Sequence, residues 1–165
     1  MIAWDALYNE VLQLFSENKE SSVVSSELSN IYVRYMITGT NILGANVLTI
    51  NGNPLKNEID KAFDLNMRGV GTKTTLSESI IRGTKLCWVG VNLNIIPPIP
   101  GASSNITNLV TVVGNFNLNI NLSDLKLFVT ALINGWKSHC STISGITSGI
   151  TPIGNPIIFN WNGIF

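Results

Sequence analysis

Charge is what this chain has least of. Lys, Arg, Asp and Glu make up 12% of its 165 residues, against roughly 25% in an ordinary soluble domain. Ten basic and ten acidic side chains cancel, so no basic face predicts nucleic acid or anionic lipid as a partner. There is one histidine, His139, and there are two cysteines, Cys87 and Cys140. Two cysteines make no disulfide framework; both read as reduced, buried small hydrophobes. No uncharged apolar run reaches about 18 residues, so no transmembrane helix is expected. Residues 1–10 lack a basic region and an apolar run ending in small residues, so no secretory signal is predicted. The N-x-S/T triplets at Asn105 and Asn121 are what an Asn-rich chain contains by chance.

What is present argues for a folded chain. Hydrophobic residues make up 45%, which excludes a disordered polyelectrolyte. The length suits one domain, 1–165, with a core that needs no staples. The charges are unevenly placed: residues 1–86 carry seventeen of the twenty, and residues 87–165 carry only Asp124, Lys126 and Lys137. Asn, Gly, Ser, Thr and Ile fill the second half. A free surface ordinarily uses charge to stay soluble, so the low-charge half is expected to be covered by neighbouring copies or other subunits. Codon drift toward Asn and Ile is the competing explanation. The domain thus reads as a charged helical part, 1–90, and a low-charge part, 91–165.

The pattern predicts an α+β fold, predominantly helical, with about five helices, short Asn-alternating strands and an extended low-charge C-terminal part. Residues 3–18 place Trp4, Leu7, Tyr8, Val11, Leu14 and Phe15 on one stripe. A second helix over about 24–37 aligns Val24, Leu28, Ile31, Tyr32 and Tyr35, with Gly39 as its stop. Residues 46–51 read as a short strand. Asn53 and Pro54 open a third helix, Asn as the cap and Pro at the first helical position; it buries Leu55, Ile59, Ala62 and Phe63 and ends at Gly69. Thr75 and Glu78 match a capping box ahead of Ile80, Ile81, Thr84, Cys87 and Trp88. A fifth helix from about Ser123 to His139 turns Leu127, Phe128, Ala131, Leu132 and Trp136 inward. Val91–Ile95, Asn115–Leu122 and Phe159–Asn162 alternate apolar residues with Asn, the period of a strand. Asn is disfavoured in strands. Its repeated face either hydrogen-bonds to a partner or water, or is a solvent face in which Asn replaces charge. Residues 97–101 (PPIPG) must be extended or turned. A register that sets residue 76 on 128 repeats Ile81, Gly83, Lys85 and Pro100 as Ile133, Gly135, Lys137 and Pro152, too little for a solenoid.

Chemistry-bearing motifs are sparse. His139 sits near a helix end without a G-x-S-x-G elbow, where a protonated imidazole suits the helix dipole. His139 and Cys140 lack further ligands at zinc spacing. Residues 69–75 (GVGTKTT) lack the spacing of a phosphate loop and read as a break between helices. Glu58, Asp60 and Asp64 share a helix with Lys56 and Lys61, the look of a solvated mixed-charge face. Trp88 and Trp136 fall on apolar stripes. Trp161 is the candidate anchor for a partner's pocket.

Two stretches carry a family resemblance. Leu76–Gly83 with residues 69–72 (GVGT), and Phe128–Gly135 with residues 147–154 (TSGITPIG), each join a helix to a Thr- and Gly-rich segment. Helices that run into such segments and end in a "TP.G" turn resemble those of virion structural proteins of large tailed bacteriophages. The likeness covers about half of the chain and transfers no functional residue. It implies a place in a capsid, neck, tail or baseplate, assembled in the host cytoplasm, without catalysis.

The expected function is therefore a non-enzymatic structural subunit that packs through its low-charge half against copies of itself or other subunits. The expected partner-binding residues are Asn92, Asn94, Phe116, Asn117, Asn119, Phe159, Trp161 and Phe165. No cofactor, metal, membrane, nucleic acid or small-molecule substrate is expected. Deleting residues 157–165 is expected to weaken assembly and leave the helical core folded. A carbohydrate- or peptide-binding module using Trp136, Trp161 and Asn side chains is the alternative. A small hydrolase would need a pocket holding His139 with an acid and a nucleophile.

Overall fold

The computed structural model describes residues 1–41, 44–72, 74–94, 101, 103–104 and 124–165, and the main chain alone at Asn92, Asn94, Ser103, Ser104, Thr147, Phe159 and Trp161. Among them are five helices: α1 (Trp4–Ser16), α2 (Ser21–Met36), α3 (Asn53–Met67), α4 (Thr75–Cys87) and α5 (Leu125–Thr142). Five strands accompany them: β1 (Asn46–Thr49), β2 (Asn92–Asn94), β3 (Ser103–Ser104), β4 (Ser144–Ile150) and β5 (Pro156–Asn162). The fold is α+β and predominantly helical, as the periodicity predicts. The strand expected over Asn115–Leu122 lies outside the described residues.

The helix ends differ in detail from the motif reading. Gly52, not Asn53, is the N-cap of α3; the amide oxygen of Asn51 accepts from the Asn53 N–H at 3.1 Å instead. The expected capping box does not close on α4. Thr75 is already helical, and its hydroxyl turns back to accept from the Thr72 N–H at 2.7 Å. Gly69 does end α3, where the Val70 N–H donates to the Leu65 carbonyl at 3.1 Å.

Each helix buries the stripe its spacing marks out. Leu7, Val11 and Leu14 of α1 meet Leu28, Ile31 and Tyr32 of α2 and Phe128, Val129 and Leu132 of α5 in one core. Leu127 is the exception: it is exposed on the first turn of α5, and Val129 takes the inward position. The centre of the core is aromatic and its polar atoms are matched. The Trp88 indole N–H donates to the Tyr32 hydroxyl at 2.8 Å, and the Trp136 indole N–H donates to the Thr84 hydroxyl at 3.1 Å. The Tyr32 and Trp136 rings lie 4.7 Å apart, tilted. A buried indole N–H without a partner would cost about 1–3 kcal/mol, so these two bonds are what let both tryptophans sit at 0% exposure.

Two small antiparallel sheets accompany the helices among the described residues. β1 and β2 form a ribbon with Val47 opposite Leu93, both buried against the helices. β3, β4 and β5 form the second sheet in that order. The β4–β5 hairpin leaves directly from the end of α5 and turns through residues 151–155, where the Asn155 N–H donates to the Thr151 hydroxyl at 2.9 Å. The "TP.G" segment is this turn.

Beyond β5 the chain is stitched back into the helical body. The Gly163 N–H donates to the Ile143 carbonyl at 2.7 Å, and the Ile164 N–H donates to the Cys140 carbonyl at 2.8 Å. Thr40 and Phe165 exchange two bonds, at 2.9 and 2.8 Å, as an antiparallel pair does. Gly163 bends the chain with φ +66°, which L side chains rarely adopt. Ile164 is buried beside Gly39. The expectation that residues 157–165 can be deleted with the helical core left folded meets a cost here: Ile164 is a core side chain, and the main chains of Gly163 and Phe165 bond to the helical body. Ile164→Ala should therefore cost about 2–4 kcal/mol, read as a lower urea midpoint at unchanged slope; a midpoint equal to wild type would show the stitch to be unimportant.

A close helix contact sets a second test. At Gly83 a Cβ would meet the Leu55 Cα at 2.7 Å, so α4 crosses the first turn of α3 with no room for a methyl group. Alanine gains about 1 kcal/mol of helix propensity, but overpacking costs about 1–3 kcal/mol. Thermal unfolding of Gly83→Ala should come below wild type; a rise would mean the helices separate freely.

Candidate functional site

The expected site residues do not converge on one place. Asn92 and Asn94 lie in β2, opposite Thr49 and Asn46, with Leu93 buried between them. They belong to the ribbon on the helical body, not to the hairpin's sheet. Phe159 and Trp161 lie in β5, opposite Thr147 and Gly145. Phe116, Asn117 and Asn119 lie outside the described residues. Phe165 is 45% exposed, its main chain is bonded to Thr40, and its ring packs close to Gly163.

What the structure does bring together is a charge-free sheet face that the motif reading missed. Residues directly opposite across an antiparallel pair point to one side. The register pairs Ile146 with Asn160, Ser148 with Ile158, and Ile150 with Pro156. Ile146 and Ile150 are each 46% exposed, Ile158 is 76% exposed, and Asn160 is exposed beside them. Isoleucine and polar amide or hydroxyl groups thus alternate over both strands. Ile153, in the turn at the hairpin tip, is also exposed. Residues 138–165 contain no Asp, Glu, Lys or Arg, so no ionic group interrupts this face from within the hairpin. The signal was present as Ile146, Ser148 and Ile150, a period of two between glycine and proline.

A separate cavity of about 450 Å³ opens at one end of the helical body. Phe15, Val24, Phe63, Leu76, Leu125 and Phe128 line it, and the Phe15 and Phe128 rings meet edge to face at 5.1 Å. Lys19 at its rim is engaged by Glu17 at 2.7 Å and Glu27 at 2.6 Å. The cavity is apolar and contains none of the expected site residues.

The residues weighed for catalysis are placed structurally. The three carboxylates of α3 are paired with cations: Asp64 pairs with Arg68 at 3.0 Å, and Asp60 pairs with Lys56 at 2.5 Å and accepts from Ser25. Glu58 pairs with Lys61 at 2.8 Å and Arg82 at 2.6 Å. Burial acts to raise the Glu58 carboxyl's pKa, but the two cations outweigh it and hold it below the usual range. Burial pushes the Cys87 thiol up to about 12 and the Cys140 thiol higher still; Cys140 donates weakly to the Met36 sulfur at 3.4 Å. Neither thiol forms a nucleophilic thiolate at neutral pH. Trp136 is enclosed in the core, so it cannot stack on a sugar as the binding-module alternative requires.

His139 is fully buried, its ring 6.5 Å from that of Trp88. Burial, with the Lys85 charge adding to it, lowers its pKa to about 4. The protonated imidazole expected at the helix end is therefore replaced by a neutral one, because desolvation outweighs the dipole. The linkage has a definite sign. The unfolded chain takes up this proton near pH 6.5 and the folded chain only near pH 4, so stability falls as pH drops through that window. At ~1.4 kcal/mol per pKa unit, the loss by pH 4 is on the order of 3 kcal/mol. Above about pH 5 the carboxylates contribute little, because Glu and Asp titrate lower. Urea midpoints at pH 7 and pH 5 should differ for wild type and converge for His139→Gln; an equal pH dependence in both proteins would remove the assignment.

Comparison of the chain with protein-family models, with curated proteins and with solved structures finds no match.

Proposed function

We propose that this chain is a non-enzymatic structural subunit of a larger assembly, of the kind found in the virions of tailed bacteriophages, and that it meets its neighbours through its low-charge half. The observation that carries the reading is the β4–β5 hairpin: exposed isoleucines on an arm without ionic side chains, held at both ends by the helical body. Exposed apolar surface rimmed by polar groups is the mark of a contact site. An arm anchored at both ends loses little conformational freedom on docking, which lowers the cost of association. The buried positions of His139, Cys87 and Cys140 give them roles in the core. Cells that make the chain at its natural level, fractionated on a density gradient, should carry it in particles far heavier than its own 17.9 kDa. Recovery only at the position of a free small protein would overturn the reading.

A further inference from the structure

We infer that Asn51–Gly52 is a site of spontaneous covalent modification: the Gly52 nitrogen closes on the Asn51 side-chain amide, and the main chain there rearranges to isoaspartate. The inference is independent of the assembly reading.

The sequence holds three Asn-Gly pairs, Asn51–Gly52, Asn134–Gly135 and Asn162–Gly163. Glycine leaves its own nitrogen open to the preceding asparagine side chain, because no Cβ stands in the way. By sequence the three pairs are equal candidates. All three asparagines are exposed, so access of water does not separate them. What separates them is the glycine N–H, the group that must lose its proton and attack. The Gly135 N–H lies inside α5 and is engaged in the helix ladder. The Gly163 N–H donates to the Ile143 carbonyl at 2.7 Å, in the buried return of the chain. Gly52 lies between β1 and α3, and among the described residues no acceptor takes its N–H.

The Asn51 side chain is held ready for the attack. Its amide oxygen accepts from the Asn53 N–H at 3.1 Å. That bond closes a ring of atoms through the Gly52 nitrogen, so the amide carbon stays beside the atom that attacks it. Negative charge develops on the amide oxygen as the new bond forms, and a donor already aimed there stabilises it. In the step itself the Gly52 nitrogen gives its proton to solvent and bonds to Cγ of Asn51. The bond from Cγ to Nδ2 breaks, and Nδ2 leaves as ammonia. Water then opens the cyclic imide. Opening at one carbonyl gives aspartate at position 51; opening at the other gives isoaspartate, with the main chain routed through the side-chain carbon. The net change is water taken up and ammonia released, with no oxidation. The isoaspartyl product lengthens the main chain just before Gly52. The Gly52 carbonyl accepts from the Ser29 hydroxyl of α2 at 2.6 Å and from the Leu55 and Lys56 N–H groups of α3, so the change falls on the junction of these two helices.

The test is peptide mapping of the full-length chain aged for weeks at neutral pH, both folded and in concentrated guanidinium chloride. Fragmentation mass spectrometry locates each exchange of NH for O, and methyl transfer by an isoaspartyl methyltransferase counts the isoaspartate. The rate in the folded chain is divided by the rate in denaturant for each pair. That ratio should be at least about tenfold higher at Asn51 than at Asn134 or Asn162, since the latter two must await local opening. Asn51→Gln keeps an amide but disfavours the five-membered ring, and should remove the isoaspartate that accumulates in the folded chain. Circular dichroism through the incubation establishes that the chain stays folded. Equal ratios at the three pairs overturn the inference. So does a higher ratio at Asn134 or Asn162, or a folded chain intact at Asn51 after the denatured sample has converted.

Discussion

The short return of the chain at residues 163–165 is the constraint on which the hairpin depends. Two main-chain bonds tie Gly163 and Ile164 to carbonyls near the end of α5, and two more tie Phe165 to Thr40. Ile164 fills the core at the same point. Without this return, the arm would be a hairpin joined along one edge only by the two residues of β3, and a hairpin gains too little from its own contacts to be more than marginal. With it, the arm is a rigid projection of the helical body. The positive φ of Gly163 lets the chain change direction there without strain.

The scarcity of charge in α5 and in the β4–β5 hairpin does not have one physical origin. In α5 it follows from ordinary burial. Phe128, Val129, Leu132, Ile133, Trp136, His139 and Cys140 all face inward, and Lys126 and Lys137 occupy exposed positions. Such a helix has little room for ionic side chains. In the hairpin the scarcity has no such cause, since Ile146, Ile150, Ile153 and Ile158 remain exposed. The two segments look alike in composition and differ in what covers them. That difference directs the functional reading to the hairpin.

Polarity inside the core follows a consistent rule. Two indole N–H groups are matched to hydroxyls, and His139 is held neutral by burial. Glu58, the buried carboxylate of α3, is shared by two cations. Among the described residues, ionic groups are at least partly exposed or paired, and the indole–hydroxyl bonds at the centre of the core are between neutral groups. Neutral donors and acceptors avoid the large desolvation cost of buried charge. The same choice of neutral polarity recurs on the hairpin face, where serine and asparagine take the places that charge would ordinarily fill.

The amino-acid sequence by itself determined the helices and their buried stripes. Leu7, Val11 and Leu14, or Ile80, Cys87 and Trp88, recur at helical spacing, and local periodicity is written directly in neighbouring residues. It also determined the turn at Thr151–Gly154 and the strand character of Phe159–Asn162. Only the tertiary structure decided which apolar residues stay outside. Ile146 and Ile164 are the same residue type in the same low-charge region; one is exposed because nothing in the described fold packs over it, and the other is buried because the chain returns to Cys140 and Thr40. The separation of Asn92 and Asn94 from Phe159 and Trp161 has the same source. Strand pairing joins residues far apart in the chain, β1 with β2 and β3 with β4, and no local pattern specifies which strands will meet.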